Sequence, residues 1–359
     1  MLHAVIMAGG AGTRFWPASR KATPKQLLNL VGDRTMIQAT LDRVEAFISP
    51  EQMLVVTNAS LVDSIRSQLP ALPEQAVIGE PCKRDTAPCV GLAAAIVARD
   101  DGDATMLVMP ADHVIQATDK FHSAVTHAAN IVDAKPKRIV TFGIKPTYPA
   151  SSFGYIERGE ALSGDIDSGT YRVRMFREKP SVEAAEEYLA SGSFYWNAGI
   201  FVWKASTILS ALAEHEPEMH SHIMTIAEVY GSEQFGKTLE TEFAKISGKS
   251  IDYAVMEKYD DVVVIEAPFD WDDVGGWRSL ARQHATDDAG NTVIGRHLSV
   301  DSNGCIVRTS DDHLVVTLGM EDCIVVHTPD ATLVARKQDE ESIRRVVELL
   351  QEKGWDEHL

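Results

Sequence analysis

The sequence is poor in cysteine. Its four thiols, Cys82, Cys89, Cys305 and Cys323, include no pair at the two-residue spacing of a zinc knuckle or redox motif. That pattern excludes a disulfide scaffold and reads as reduced thiols of a cytoplasmic protein. No uncharged apolar run reaches the ~18 residues of a membrane span, and the short apolar start at 1–7 runs into glycines instead of a secretory h-region. Basic residues are also scarce: 34 stand against 52 acidic ones, a net charge of −18. Such a surplus repels polyanions and argues against a nucleic-acid partner. There is no internal repeat, no low-complexity tract and no convincing Ser/His/Asp or Cys/His set. Any phosphate ligand must therefore be held by a few local cations, backbone amides and metal ions.

What is present is ordinary globular material, 45% hydrophobic and 24% charged, in a chain long enough for two domains. Strand patterns at 3–8, 53–57, 76–79, 105–109 and 138–144 alternate with helical patterns at 36–47, 60–68, 86–99 and 119–132. This alternation predicts a largely parallel sheet covered by helices. From 151 onward strand-like segments at 171–176, 199–203 and 262–267 surround one long helical region, 206–230. Loop formers at 286–291 mark a boundary. Short strand patterns follow at 305–308, 314–317, 323–327 and 332–335. An amphipathic helix over 340–352 ends the chain, with Ile343, Val346, Val347 and Leu350 on one face.

Directly after the first strand stands Gly9-Gly10-Ala11-Gly12-Thr13-Arg14, then Pro17 and Pro24-Lys25-Gln26. Glycines at this density let backbone N–H groups turn toward a phosphate, and Arg14 and Lys25 can neutralise a triphosphate. The spacing is neither the dinucleotide G-x-G-x-x-G nor a P-loop. With its flanks, the segment resembles the signature of the sugar-1-phosphate nucleotidylyltransferases, in their mannose-1-phosphate guanylyltransferase branch. The resemblance recurs in family order along nearly the whole length. It runs through Glu80-Pro81-Cys82-Lys83-Arg84-Asp85-Thr86, Pro110-Ala111-Asp112-His113, Phe153-Gly154-Tyr155, Phe176-Arg177-Glu178-Lys179-Pro180, Trp196-Asn197-Ala198-Gly199 and Trp271-Asp272-Asp273-Val274-Gly275.

The resemblance implies an α/β fold: a Rossmann-like mixed, mainly parallel sheet flanked by helices over 1–285, with a small β-rich C-terminal domain over 286–359. It implies transfer of GMP from GTP to mannose 1-phosphate, giving GDP-mannose and pyrophosphate. Arg14, Lys25 and Asp112 are implied as catalytic. Ala8, Gly9, Gly10, Gly12, Thr13, Arg14, Lys25, Glu80, Arg84, Asp85, Thr86, Pro110 and Asp112 are implied to bind nucleotide, and Gly154, Glu178, Lys179 and Asn197 to bind the sugar phosphate. Asp112 and Asp273 are implied to hold Mg²⁺ or another divalent cation, Asp273 being preferred over its neighbour Asp272 because it directly precedes the Val-Gly step. Magnesium is usually bound by one or two carboxylates plus phosphate oxygens, which suits two acids in loops after strands. Asn197 offers a donor and an acceptor to sugar hydroxyls, and the helix after Arg84 is expected to present unpaired first-turn amides. Asp85 departs from the family's usual Asn; its acid either pairs with guanine or caps the helix. Arg177 and Phe153 also depart, at the edge of the sugar pocket. A homodimer in the cytoplasm is expected. The competing readings are a transferase for another hexose 1-phosphate or NTP, and a non-catalytic nucleotide-sugar-binding regulatory subunit.

Overall fold

The computed structural model describes residues 1–162 and 169–359. Its chain forms two compact units whose membership does not follow chain order. The first comprises Met1–Gly9, Leu41–Ala111 and Ile115–Trp271; the second comprises Gly10–Thr40, Asp112–Val114 and Asp272–Leu359.

The first unit is built on a nine-stranded mixed sheet with helices against it, as expected. Its strands are β1 Leu2–Ala8, β2 Met53–Asn58, β3 Val77–Glu80, β4 Thr105–Pro110, β5 Ile139–Ile144, β6 Tyr155–Ala161, β7 Thr170–Arg177, β8 Phe194–Lys204 and β9 Val262–Glu266. They lie in the order β3-β2-β1-β4-β8-β5-β9-β7-β6. β1 to β4 are mutually parallel, whereas β8 runs antiparallel between β4 and β5. The continuous apolar centre of β1 has a direct cause: Ala4, Val5 and Ile6 are wholly buried, as in a strand covered on both faces.

Helix α1, Thr86–Asp100, is the central packing element. A Cβ on its Gly91 would lie 2.6 Å from the Ile223 Cδ1 methyl and 2.8 Å from a Leu212 methyl, so a side chain there would push both away. Those two residues belong to separate helices, Ala205–His215 and Pro217–Glu228. The long helical region read over 206–230 is therefore two helices. Pro217 has no N–H and disfavours helical backbone in the preceding residue, so the first helix ends and a second starts with proline at its first position. Strand β6 and the helix Val182–Ser191 are further elements that the sequence reading did not contain.

The second unit carries the β-rich region, with strands Thr292–Ile294, His297–Val300, Ile306–Arg308, Val315–Leu318, Cys323–Thr328 and Ala331–Arg336. The first two were not anticipated. Parallel pairing of 292–294 with 306–308, and of 306–308 with 323–328, stacks successive short strands. The helix Ile343–Glu352 closes the chain as expected. One apolar core joins Ile306, Ile324, Val326, Leu333, Ile343 and Leu350 to Phe15, Trp16, Leu30 and Met36 from far upstream. The glycine-rich segment and the C-terminal strands thus share a core. All four cysteines are free thiols. Among the described residues no helix is long and apolar enough to cross a membrane.

Candidate active site

In the second unit the glycine segment is fixed by close packing around Lys25. Gly12 has φ +60°, and a Cβ there would overlap the Lys25 side chain and lie 3.0 Å from its amide nitrogen. Ser19 Oγ donates to the Gly12 carbonyl at 2.7 Å, and the Phe15 ring meets Trp277 edge-on at 5.0 Å. Gly10 differs: its φ is not positive, and no atom lies within 4 Å of where its Cβ would stand.

The short 3-10 turn Lys25–Leu27 buries the lysine. Its ammonium donates to Asp112 Oδ2 at 2.8 Å and to the Asp273 carbonyl at 2.6 Å. Burial pushes the Asp112 carboxyl up, but the ammonium of Lys25 and the neighbouring His113 outweigh it, leaving Asp112 below the usual carboxylate range. Asp273 goes the other way. Burial, with Asp272 and Asp112 nearby, pushes it up to about 6 against the lowering by Lys25 and Arg14. A Cβ on Gly275 would lie 2.9 Å from Asp273 Oδ2 and 3.2 Å from Arg14 Nη2, so a side chain there would displace the acid and the guanidinium that approach it. Arg14 also donates to Glu341 at 2.8 Å. Between Asp273 and Gly275, Val274 adopts φ +43°, an outlier for a β-branched residue.

Asp272 is occupied structurally. Its Oδ2 accepts from Arg282 at 2.9 and 3.1 Å and from Gln283 at 3.2 Å, and its Oδ1 accepts from the Val274 amide at 2.8 Å. The donor set at Asp112 and Asp273 fits a hard divalent cation: both groups are carboxyl oxygens, Asp273 feels the charge of Asp112, and the Lys25 ammonium shows that a cation is accommodated beside them. No group of three or more metal-ligating side chains occurs among the described residues. Phosphate oxygens and water would have to complete the shell, which is the usual manner of magnesium.

In the first unit, Ala8, Glu80 and Pro110 end β1, β3 and β4, at the carboxyl edge where parallel sheets bind ligands. The Ala8 carbonyl accepts from Thr57 Oγ1 at 3.0 Å. Glu80 Oε2 lies 3.9 Å from the Cβ position of Gly9, while Oε1 is buried with no partner. Burial, and secondarily Asp85, pushes the Glu80 carboxyl up to about 8. Asp85 caps α1: at φ +65° it accepts from the Thr86 amide at 3.0 Å. The expectation of unpaired first-turn amides is corrected. The Thr86 amide is taken by Asp85, the Ala87 amide by the Lys249 carbonyl at 3.0 Å, and Pro88 has none. Arg84 is tied to the Ala244 carbonyl at 2.7 Å.

Gly154, Glu178, Lys179 and Asn197 also converge in this unit. A Cβ on Gly154 would lie 2.6 Å from Glu178 Oε2 and 3.4 Å from the Asn197 Cβ. Lys179, at φ +47°, sets its ammonium 3.0 Å from Glu178 Oε1. The picture of Asn197 as a ready donor and acceptor is corrected. Its oxygen accepts from the Gly199 amide at 3.1 Å and shares the Thr141 hydroxyl proton, and its nitrogen donates to Asp252 Oδ1 at 3.2 Å. Trp196 is buried against Phe153. Two acids not singled out in the sequence belong to this group, Asp252 and Glu257, the latter accepting from the Glu178 amide at 3.1 Å.

A nucleotidyl transferase family model matches residues 3–290, and a model of the mannose-phosphate isomerase/GMP-like β-helix domain matches 295–350. Mannose-1-phosphate guanylyltransferase 2 of Escherichia coli O157:H7 is 38% identical over 99% of this chain and 75% of its own length. The mannose-1-phosphate guanylyltransferase of Klebsiella pneumoniae is 38% identical over 100% of this chain and 76% of its own. A Thermus thermophilus structure described as a mannose-1-phosphate geranyltransferase superposes with a TM-score of 0.86 at 33% identity, covering 98% of this chain and 99% of its own. A Helicobacter pylori mannose-6-phosphate isomerase structure, at 24% identity and a TM-score of 0.62 over 76% of this chain and 99% of its own, shares the fold alone. The chain belongs to the nucleotidyl transferase family, among its mannose-1-phosphate guanylyltransferases.

Proposed function

We propose that this protein transfers GMP from GTP to α-D-mannose 1-phosphate, releasing pyrophosphate and forming GDP-mannose. The observation that carries the reading is the set in the second unit: a buried lysine on Asp112 and on the Asp273 backbone, with Arg14 beside the Asp273 carboxyl. Asp112 and Asp273 would hold Mg²⁺. Asp273 suits that role better than Asp272, whose oxygens are spent on Arg282, Gln283 and the Val274 amide. A bound divalent cation supplies neutralisation and polarisation of phosphate oxygens.

This chain's own residues do the rest. Gly9, Gly10, Gly12 and Thr13 offer close backbone to the triphosphate. Lys25 and Arg14 stabilise charge on the α-phosphoryl group and on the departing pyrophosphate. Lys179 takes the sugar phosphate, while Glu178, Gly154 and Asn197 line the hexose. A sugar-phosphate oxygen forms the new bond to the α-phosphorus as the bond to the β-phosphate oxygen breaks, so pyrophosphate leaves with that electron pair. The attacking oxygen is ionised at neutral pH, so no general base is required. We assign Ala8, Glu80, Arg84, Asp85, Thr86 and Pro110 to the nucleotide. For Thr86 that contact comes through side chain or carbonyl, because its amide is already paired with the Asp85 carboxylate.

Pyrophosphate release measured across four NTPs and a panel of hexose 1-phosphates tests the reading. GTP with mannose 1-phosphate is expected to give the highest kcat/KM, and a different preferred pair would overturn it. A cytoplasmic homodimer completes the proposal. Support for self-association comes from the exposed aliphatic row Leu298, Val300, Val316 and Leu318 on the paired strands 297–300 and 315–318, and light scattering reads the mass.

A further inference from the structure

We propose that Asp252 is a sugar-binding residue of this reaction: it works with Asn197 on one hexose hydroxyl, which accepts from the Asn197 carboxamide and donates to the Asp252 carboxylate. The inference rests on the sugar-phosphate reading of Gly154, Glu178, Lys179 and Asn197 given above.

A sugar hydroxyl bound between protein groups both accepts and donates. Asn197 is not free to serve both needs, because its oxygen accepts from the Gly199 amide at 3.1 Å and shares the Thr141 hydroxyl proton, 3.1 Å away, with the Ile200 carbonyl at 3.0 Å. Only its NH₂ group is left to give. Its acceptor on that side is Asp252 Oδ1, at 3.2 Å, so the carboxylate stands where a hydroxyl bridging the two would find its own acceptor. Of the group's other acids, Glu178 holds the Lys179 ammonium at 3.0 Å and Glu257 accepts from the Glu178 amide at 3.1 Å.

The backbone is shaped to deliver Asp252. Residues Asp252–Met256 form a π-helical turn closed by the Glu257 amide on the Asp252 carbonyl at 3.0 Å. Such widened turns concentrate at functional sites. At about 4.4 residues per π turn, positions five apart share a side that an ordinary α-helix would split. Asp252 reaches the Asn197 side chain while Glu257 accepts from the Glu178 amide. The segment before the turn is pinned to the cap of α1, with the Lys249 amide on the Arg84 carbonyl at 3.1 Å and the Ile251 amide on Thr86 Oγ1 at 2.9 Å.

The charges around Asp252 are Glu178, Lys179 and Asp85. No lysine or arginine forms an ion pair with it among the described residues. Burial first, and then Glu178, pushes its carboxyl up to about 7. A buried acid kept without an ion pair is costly to the fold, which is the mark of a group retained for a ligand.

The test is steady-state kinetics of wild type, Asp252→Asn and Asp252→Ala with mannose 1-phosphate and its four monodeoxy analogues. Replacing the carboxylate should raise KM for the sugar phosphate ~10–100-fold, the scale of a charged hydrogen bond, with KM for GTP within about 2-fold of wild type. One deoxy position should lose its wild-type penalty in Asp252→Ala while the other three keep theirs. An unchanged sugar KM, or penalties at all four positions that survive the substitution, overturns the proposal. Asp252→Asn is near-isosteric and covers the case in which the alanine variant unfolds. If wild type prefers another hexose 1-phosphate, the reading of the substrate fails separately, and the deoxy series of that sugar puts the same question to Asp252.

Discussion

At the scale of single residues the chain places its charges unequally. Lys25 is buried on two acceptors, and its loss should lower kcat ~10²–10³-fold, as for other groups that stabilise developing charge. Asp112→Asn should depress turnover far more than GTP affinity, and single-turnover kinetics beside equilibrium GTP binding separates the two. Glu80 makes a different prediction, about stability. Its carboxyl rises from 4.5 to about 8 on folding, so the native state holds the proton more tightly than the unfolded chain. Between those pH values the folded state binds more protons, and stability falls as pH rises through that window. Relative to wild type, Glu80→Gln should therefore gain stability from about pH 4.5 to pH 8 and hold the gain above it. Thermal melts across that range check it; a difference that is constant with pH sinks the assignment.

At the scale of elements, the glycine segment separates two uses of glycine that its sequence presents as one. Gly12 is required by the fold: Gly12→Ala would force left-handed backbone on alanine, costing about 1–2 kcal/mol, and drive a methyl into Lys25. Gly10 has no such need. Gly10→Ala should leave the melting temperature of the nucleotide-free protein unchanged while raising KM for GTP, since a methyl there can collide only with what the backbone approaches. The same contrast explains what could be read in advance. The phosphate loop, the Glu178-Lys179 step and Asp112 after its strand were legible because their chemistry sits in adjacent residues with fixed spacing. Asp252 and Glu257 were not, because their five-residue separation fits neither helical nor strand periodicity until a π turn is known to exist. Asn197 was found as a residue and misread as a group, since its oxygen is claimed by Thr141 and Gly199, partners that only the folded chain supplies. The break at Pro217 was written in the sequence and outvoted by apolar periodicity on both sides of it.

At the scale of the whole molecule, the alternation of strand and helix disclosed the sheet, but chain order concealed which segments share a core. Residues 10–40 and 272–359 form one unit, with Phe15 and Trp16 packed among Ile306, Ile324, Val326 and Leu333. Apolar residues of this kind record that they are buried and not against what. The C-terminal strands are thereby given a task beyond closing the chain, because the segment that carries Gly12, Thr13 and Arg14 owes its fixed path to their core. Ile324→Ala, at a fully buried position, should cost ~2–5 kcal/mol. Val264→Ala, fully buried in the first unit, also leaves a cavity and serves as the control. Hydrogen exchange should then rise at residues 12–16 in the Ile324 variant and not in the Val264 variant, together with a higher KM for GTP. Equal protection of 12–16 in both would show that the loop holds its shape without the C-terminal core, and the coupling between them would have to be abandoned.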